Sequence, residues 1–100
     1  MPLGEFINFI PPIGFLAIHL VAFLIGAYFA WRSFEAAQSN LGWAFSLYGL
    51  AEIVYMTYHL NWTTFLFAHT IAEVLDLVAF VIIFMTATRM AIASRTPSQA

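Results

Sequence analysis

Apolar residues run almost unbroken through three stretches of the chain, and polar residues gather in the short segments between them. The first stretch, Ile13 to Trp31, opens on Pro11-Pro12; proline suits a helix start because its missing N–H would be unpaired there anyway. The second, Leu41 to Leu60, follows Ser39-Asn40, both residue types that favour helix N-caps. The third begins at Phe65, after Thr63-Thr64, and stays apolar to Thr88. Each holds about 19 to 24 residues, against the ~20 that an α-helix needs to cross a ~30 Å hydrocarbon layer. The connecting segments, Arg32 to Asn40 and Asn61 to Thr64, are short enough to make consecutive helices antiparallel neighbours. The pattern predicts an all-α integral membrane bundle of three transmembrane helices. It forms a single domain over 1–100, with spans at about 13–31, 41–60 and 65–88 and a flexible tail at 94–100.

Charge gives that bundle an orientation. With three spans, Arg32, Arg89 and Arg95 all fall on one side and only Glu5 on the other, so the N-terminus is expected outside and the C-terminus in the cytoplasm. Trp31 and Trp43 would flank the inner interface and Trp62 the outer one. A cleaved signal peptide over the first stretch is the weaker reading, because no basic segment precedes it. Composition agrees with a multi-pass protein of the cell inner (plasma) membrane. Hydrophobic residues make up 63% of the chain, charged residues 8%, and lysine is absent. A net charge of −2 gives no reason to expect nucleic acid. The absence of cysteine excludes disulfides, thiolate metal sites and iron–sulfur ligation.

Ionisable residues within the spans are costly and therefore informative: an acidic residue near mid-membrane costs about 2.5–3.5 kcal/mol even on a lenient insertion scale. The second helix carries Glu52 and His59, with Tyr55 between them on the same face. The third carries His69, Glu73 and Asp76 at spacings of four and three. The first carries His19 on a stripe with Ala22, Gly26 and Ala30; small-residue stripes mark where membrane helices approach closely, so His19 is expected to face its neighbours. Counting from the outer helix ends, Glu52 and Glu73 lie about 12 Å down, His19 about 9 Å and His69 about 6 Å. Asp76 is deeper and His59 sits at the rim. If these faces turn together, one polar cluster occupies the outer leaflet. Each residue also has a plainer reading as a hydrogen-bonded packing residue, the stronger one for His59. The sequon Asn61-Trp62-Thr63 is too common and too near the bilayer to carry weight.

The cluster is read first as a ligand site, with two alternatives behind that expectation. The first reading is a small subunit of a larger electron- or energy-transfer membrane complex, not catalytic by itself. In it His19, His69, Glu73 and Glu52 would contribute ligands to a metal ion (copper, zinc or iron) or a haem- or chlorophyll-type tetrapyrrole. Asp76, His59 and Tyr55 would form its secondary polar surroundings. The second is a homo-oligomeric transporter or channel in which the carboxylates bind cations or protons and a histidine relays them. The third is a structural assembly subunit. All three need the lipid bilayer and further helices, from other transmembrane subunits or from copies of the chain. No nucleophile–base pair or phosphate loop points to an enzyme of the soluble kind.

Overall fold

The structure, a computed structural model, describes residues 3–94; Arg95 and the rest of the expected tail beyond Ser94 lie outside the described residues. A short 3-10 turn, Glu5–Phe9, precedes three α-helices: α1, Pro12–Glu35; α2, Ser39–His59; and α3, Phe65–Ser94. No strand occurs among the described residues. Pro12 takes the first helical position of α1, where its lack of an N–H costs nothing. The start of α2 differs from the predicted cap. Ser39 and Asn40 lie inside the first turn, and the cap residue is Gln38, whose side chain makes no cap hydrogen bond. Its carbonyl accepts the Gly42 N–H at 3.0 Å, which moves the first helical bond one residue upstream of the serine.

Both helix ends that enter a connection are closed by the same device. After α1, Ala37 adopts φ 60°; its N–H donates to the Phe34 carbonyl at 3.1 Å and the Gln38 N–H to that of Ser33 at 2.8 Å. After α2, Asn61 adopts φ 66°; its N–H donates to Tyr58 at 2.9 Å and the Trp62 N–H to Thr57 at 2.9 Å. These paired bonds satisfy carbonyls that a helix end otherwise leaves open. They also turn the chain back within a few residues.

The result is a flat layer with α2 in the middle. α2 packs along its length on α1 and on α3, while α1 and α3 share no comparable contact; the molecule measures 57 × 32 × 20 Å. The packing uses small residues. Gly26 and Ala30 on α1, Gly42, Ala44, Gly49 and Ala51 on α2, and Ala68, Ala72 and Ala79 on α3 are buried. No large side chain among the described residues is fully buried. At Gly26 an added Cβ would lie 2.8 Å from the Tyr48 ring, and at Gly42 2.6 Å from the Phe34 ring, so these two positions require glycine for the helices to meet. Large apolar side chains point outward instead, among them Ile13, Leu66, Leu77 and Phe84. Contiguous apolar surface on that scale is unfavourable in water and is ordinary against lipid. α1 and α3 are each long and apolar enough to cross a membrane, and only 11% of each such stretch is buried, unlike the core helix of a water-soluble domain. α2 is long enough but more polar, and is not among them.

The cap geometry predicts an asymmetric response to glycine. A Cβ in the left-handed region costs roughly 1–2 kcal/mol, less for asparagine, whose side chain tolerates it. Ala37→Gly should therefore raise stability in detergent-induced unfolding by about 1 kcal/mol, and Asn61→Gly by clearly less. Equal responses would contradict the cap assignment.

Candidate functional site

The polar residues of α2 form one line. Tyr48, Glu52, Tyr55 and His59 recur at spacings of four, three and four, which keeps them on one side of the helix. Gly42 and Gly49 face α1, with Phe34 and Phe23 against them. Ala44 and Ala51, nearly opposite on the helix and fully covered, take α3. The polar line falls between these two contact strips. It floors a groove walled by α1 and α3, which continues into a cleft of about 280 Å³ lined by Ile25, Gly26, Phe29, Phe45, Tyr48, Phe80 and Ile83.

Among the described residues Glu52 is the one ionisable residue that is buried, 8% exposed. His19 on α1 meets it: Nδ1 and Glu52 Oε2 lie 2.5 Å apart across the α1–α2 interface. With the carboxylate ionised it can only accept, in which case the proton sits on Nδ1 and Nε2 is left for a second partner. Desolvating a lone carboxylate costs several kcal/mol, and a charge-assisted hydrogen bond is the offset available where no arginine or lysine reaches.

Aromatic rings fix the histidine. The His19 ring stacks on Tyr55 at 5.0 Å and on His59 at 5.3 Å between centroids. His59 stacks in turn on Phe15 at 4.9 Å, nearly parallel. Phe15, His59, His19 and Tyr55 thus form one column, alternating between α1 and α2. Phe15 and His19 are four apart on α1, which is why both reach α2 from the same face.

The third helix contributes less directly. Asp76 lies within electrostatic reach of Glu52 and Glu73; the Tyr48 hydroxyl lies within reach of Glu52 and Asp76, and that of Tyr55 within reach of Glu73, Asp76 and Glu52. Asp76 Oδ1 is buried and has no hydrogen-bond partner among the described residues. Glu73 is exposed on the flank of α3, and His69 stacks on Phe65 of its own helix at 5.3 Å. Of the four residues expected as ligands, His19 and Glu52 are brought together, and His69 and Glu73 are not brought to them. His19 has His59 as its histidine neighbour, the residue that depth counting placed at the rim. Among the described residues, no group of three or more histidine, aspartate or glutamate side chains is arranged to hold a metal ion. Sequence reading did not single out Phe15 and Tyr48 for the site. Their four-residue offsets from His19 and Glu52 were the available signal. Arg32 and Glu35, 3.6 Å apart, form an exposed pair that takes no part.

Comparisons with protein-family models, curated proteins and solved structures find no match to the chain, so the functional reading rests on its own residues.

The close approach at Gly26 sets the spacing at which His19 meets Glu52, two turns away on α1. Gly26→Val would drive a branched side chain into the Tyr48 ring and toward the Phe45 carbonyl, 3.4 Å from a Cβ. It should lower bundle stability by about 1–3 kcal/mol in mixed-micelle unfolding. An unchanged unfolding midpoint would mean that the helices do not pack through this glycine.

Proposed function

We propose that the chain is a small three-span subunit of a larger assembly in the cell inner (plasma) membrane, and that it handles protons or cations along the polar line of α2. The N-terminus lies outside and the C-terminus in the cytoplasm. The side-by-side packing of α2 on both neighbours supports three spans: if α1 and α3 cross a bilayer, the antiparallel helix between them crosses with them. Its polar line then faces the groove. The arginines at Arg32 and Arg89, both at the end opposite to His59, support the orientation.

The observation that carries the functional reading is the buried Glu52 held by His19. Imidazole takes a proton on one nitrogen and releases it from the other, and Glu52 accepts at Nδ1. His59, stacked above His19 toward the helix end, is the first titratable group from that side. Tyr48 and Asp76 continue the line toward the cleft. Ionisable residues inside a span usually mark such pathways. Glu73 stands exposed on α3, so other transmembrane subunits or copies of the chain are needed to cover it.

One observation favours a second reading, ligation of a metal or tetrapyrrole. A carboxylate on one imidazole nitrogen is how proteins orient a histidine whose other nitrogen binds metal. His19 has that arrangement, and the remaining ligands would come from partner subunits.

The chain contains no cysteine, so single cysteines can report its topology without a background. Cysteines placed in the Ala36–Gln38 turn and at Trp62 should label from opposite sides of the membrane; labelling from one side would end the three-span reading. For the function, vesicles holding the protein and a trapped pH dye should show proton flux that Glu52→Gln reduces at least tenfold, with insertion unchanged. Flux equal in both would sink proton handling. A metal or visible absorption band that co-purifies and is lost in Glu52→Gln, without flux in either form, would favour ligation.

A further inference from the structure

On the side of the layer away from the polar groove, α2 and α3 meet near Arg89. A cleft of about 410 Å³ opens there, lined by Asn40, Trp43, Ile82, Met85, Thr86 and Arg89. A second groove of about 330 Å³ runs along the other flank of the same arginine, lined by Phe84, Met85, Thr88 and Arg89. Arg89 and Met85 are common to both. Arg89 therefore borders two shallow, mainly apolar grooves near the end of α3.

From this geometry we infer that Arg89 is the headgroup anchor of a binding site for an anionic phospholipid, with one acyl chain in each groove. The cation is available: among the described residues Arg89 makes no ion pair, whereas Arg32 has Glu35. The donors around it suit a phosphate. Arginine presents a fork of N–H groups, the Asn40 amide adds two and the Trp43 indole one. Thr86 is not among them, because its hydroxyl donates to the Ile82 carbonyl at 2.8 Å. Below these polar tips the walls are Ile82, Met85 and Phe84, which offer an acyl chain nothing but apolar contact. A basic residue between membrane helices at the cytoplasmic surface is a recurrent headgroup site. An exposed tryptophan beside it marks the same interfacial level. The lipid is chosen by charge: a zwitterionic headgroup brings a second cation to Arg89, and an anionic one does not.

The inference rests on the membrane reading but not on proton handling, and its test keeps the two apart. In a Trp31→Phe, Trp62→Phe background, Trp43 is the sole tryptophan. Its fluorescence is measured in vesicles containing a fixed fraction of brominated phosphatidylglycerol or brominated phosphatidylcholine. Brominated phosphatidylglycerol should be enriched at Trp43 at least threefold over brominated phosphatidylcholine. Arg89→Gln should abolish that preference, Arg89→Lys should keep part of it, and Arg32→Gln should leave it intact. Added inorganic phosphate should not compete. Equal quenching by the two lipids, a preference that survives Arg89→Gln or is lost equally in Arg32→Gln, or competition by free phosphate would overturn the site. Loss of the chain from the vesicles in an alkaline wash would overturn the membrane reading and the site together.

Discussion

The contact between His19 and Glu52 is the constraint on which the arrangement of the three helices turns. A carboxylate buried at the α1–α2 interface cannot be left alone, because its desolvation would cost more than a small bundle can bear. No lysine exists in the chain, and its arginines in the described residues lie at the far end of the helices. The imidazole of His19 is therefore what makes Glu52 tolerable, and it must arrive at the correct depth and rotation. The register of α1 against α2 follows from that demand. The rings of Phe15, Tyr55 and His59 hold the imidazole from both faces, and the glycine at 26 lets the backbones come close enough for the bond to form.

The rest of the packing serves closeness more than bulk. In water, burial of large apolar side chains drives folding; here the buried positions are glycine, alanine and one glutamate, and the leucines, isoleucines and phenylalanines point away. In a bilayer, lipid would remove the reason to hide them, and helices would associate through contact of small residues and through polar bonds. This leaves a two-sided layer. One side carries the polar line of α2 with Asp76 beside it. The other holds the cleft beside Arg89.

Much of the helical framework was legible from the sequence because it depends on local signals. Apolar run length, the prolines at 11 and 12, and the short connections mark three helices close to where they lie. The α1 stop was not legible. Ala37 is an unusual residue for a left-handed position, and nothing in the sequence announces it. The site was legible in part. Helical spacing puts His19 on a small-residue stripe and Glu52, Tyr55 and His59 on one face, but it cannot say which faces meet. Depth counting paired Glu52 with Glu73 and His19 with His69, since it knows height and not rotation. Glu73 lies about 60° round α3 from Asp76 and is exposed, within electrostatic reach of Tyr55 and Asp76 but not bonded to Glu52.

A double-mutant cycle between His19 and Glu52 tests the central claim most directly. Stability would be measured for the unsubstituted chain, His19→Leu, Glu52→Leu and the double variant by unfolding in mixed micelles. Each single change leaves a polar partner stranded at the interface, while the double change leaves an apolar pair. The two effects should therefore fall short of additivity by about 1–3 kcal/mol, with the double variant more stable than His19→Leu alone. Additive losses, agreeing within about 0.5 kcal/mol, would mean that the two side chains do not meet, and the account of the layer built on their bond would be wrong.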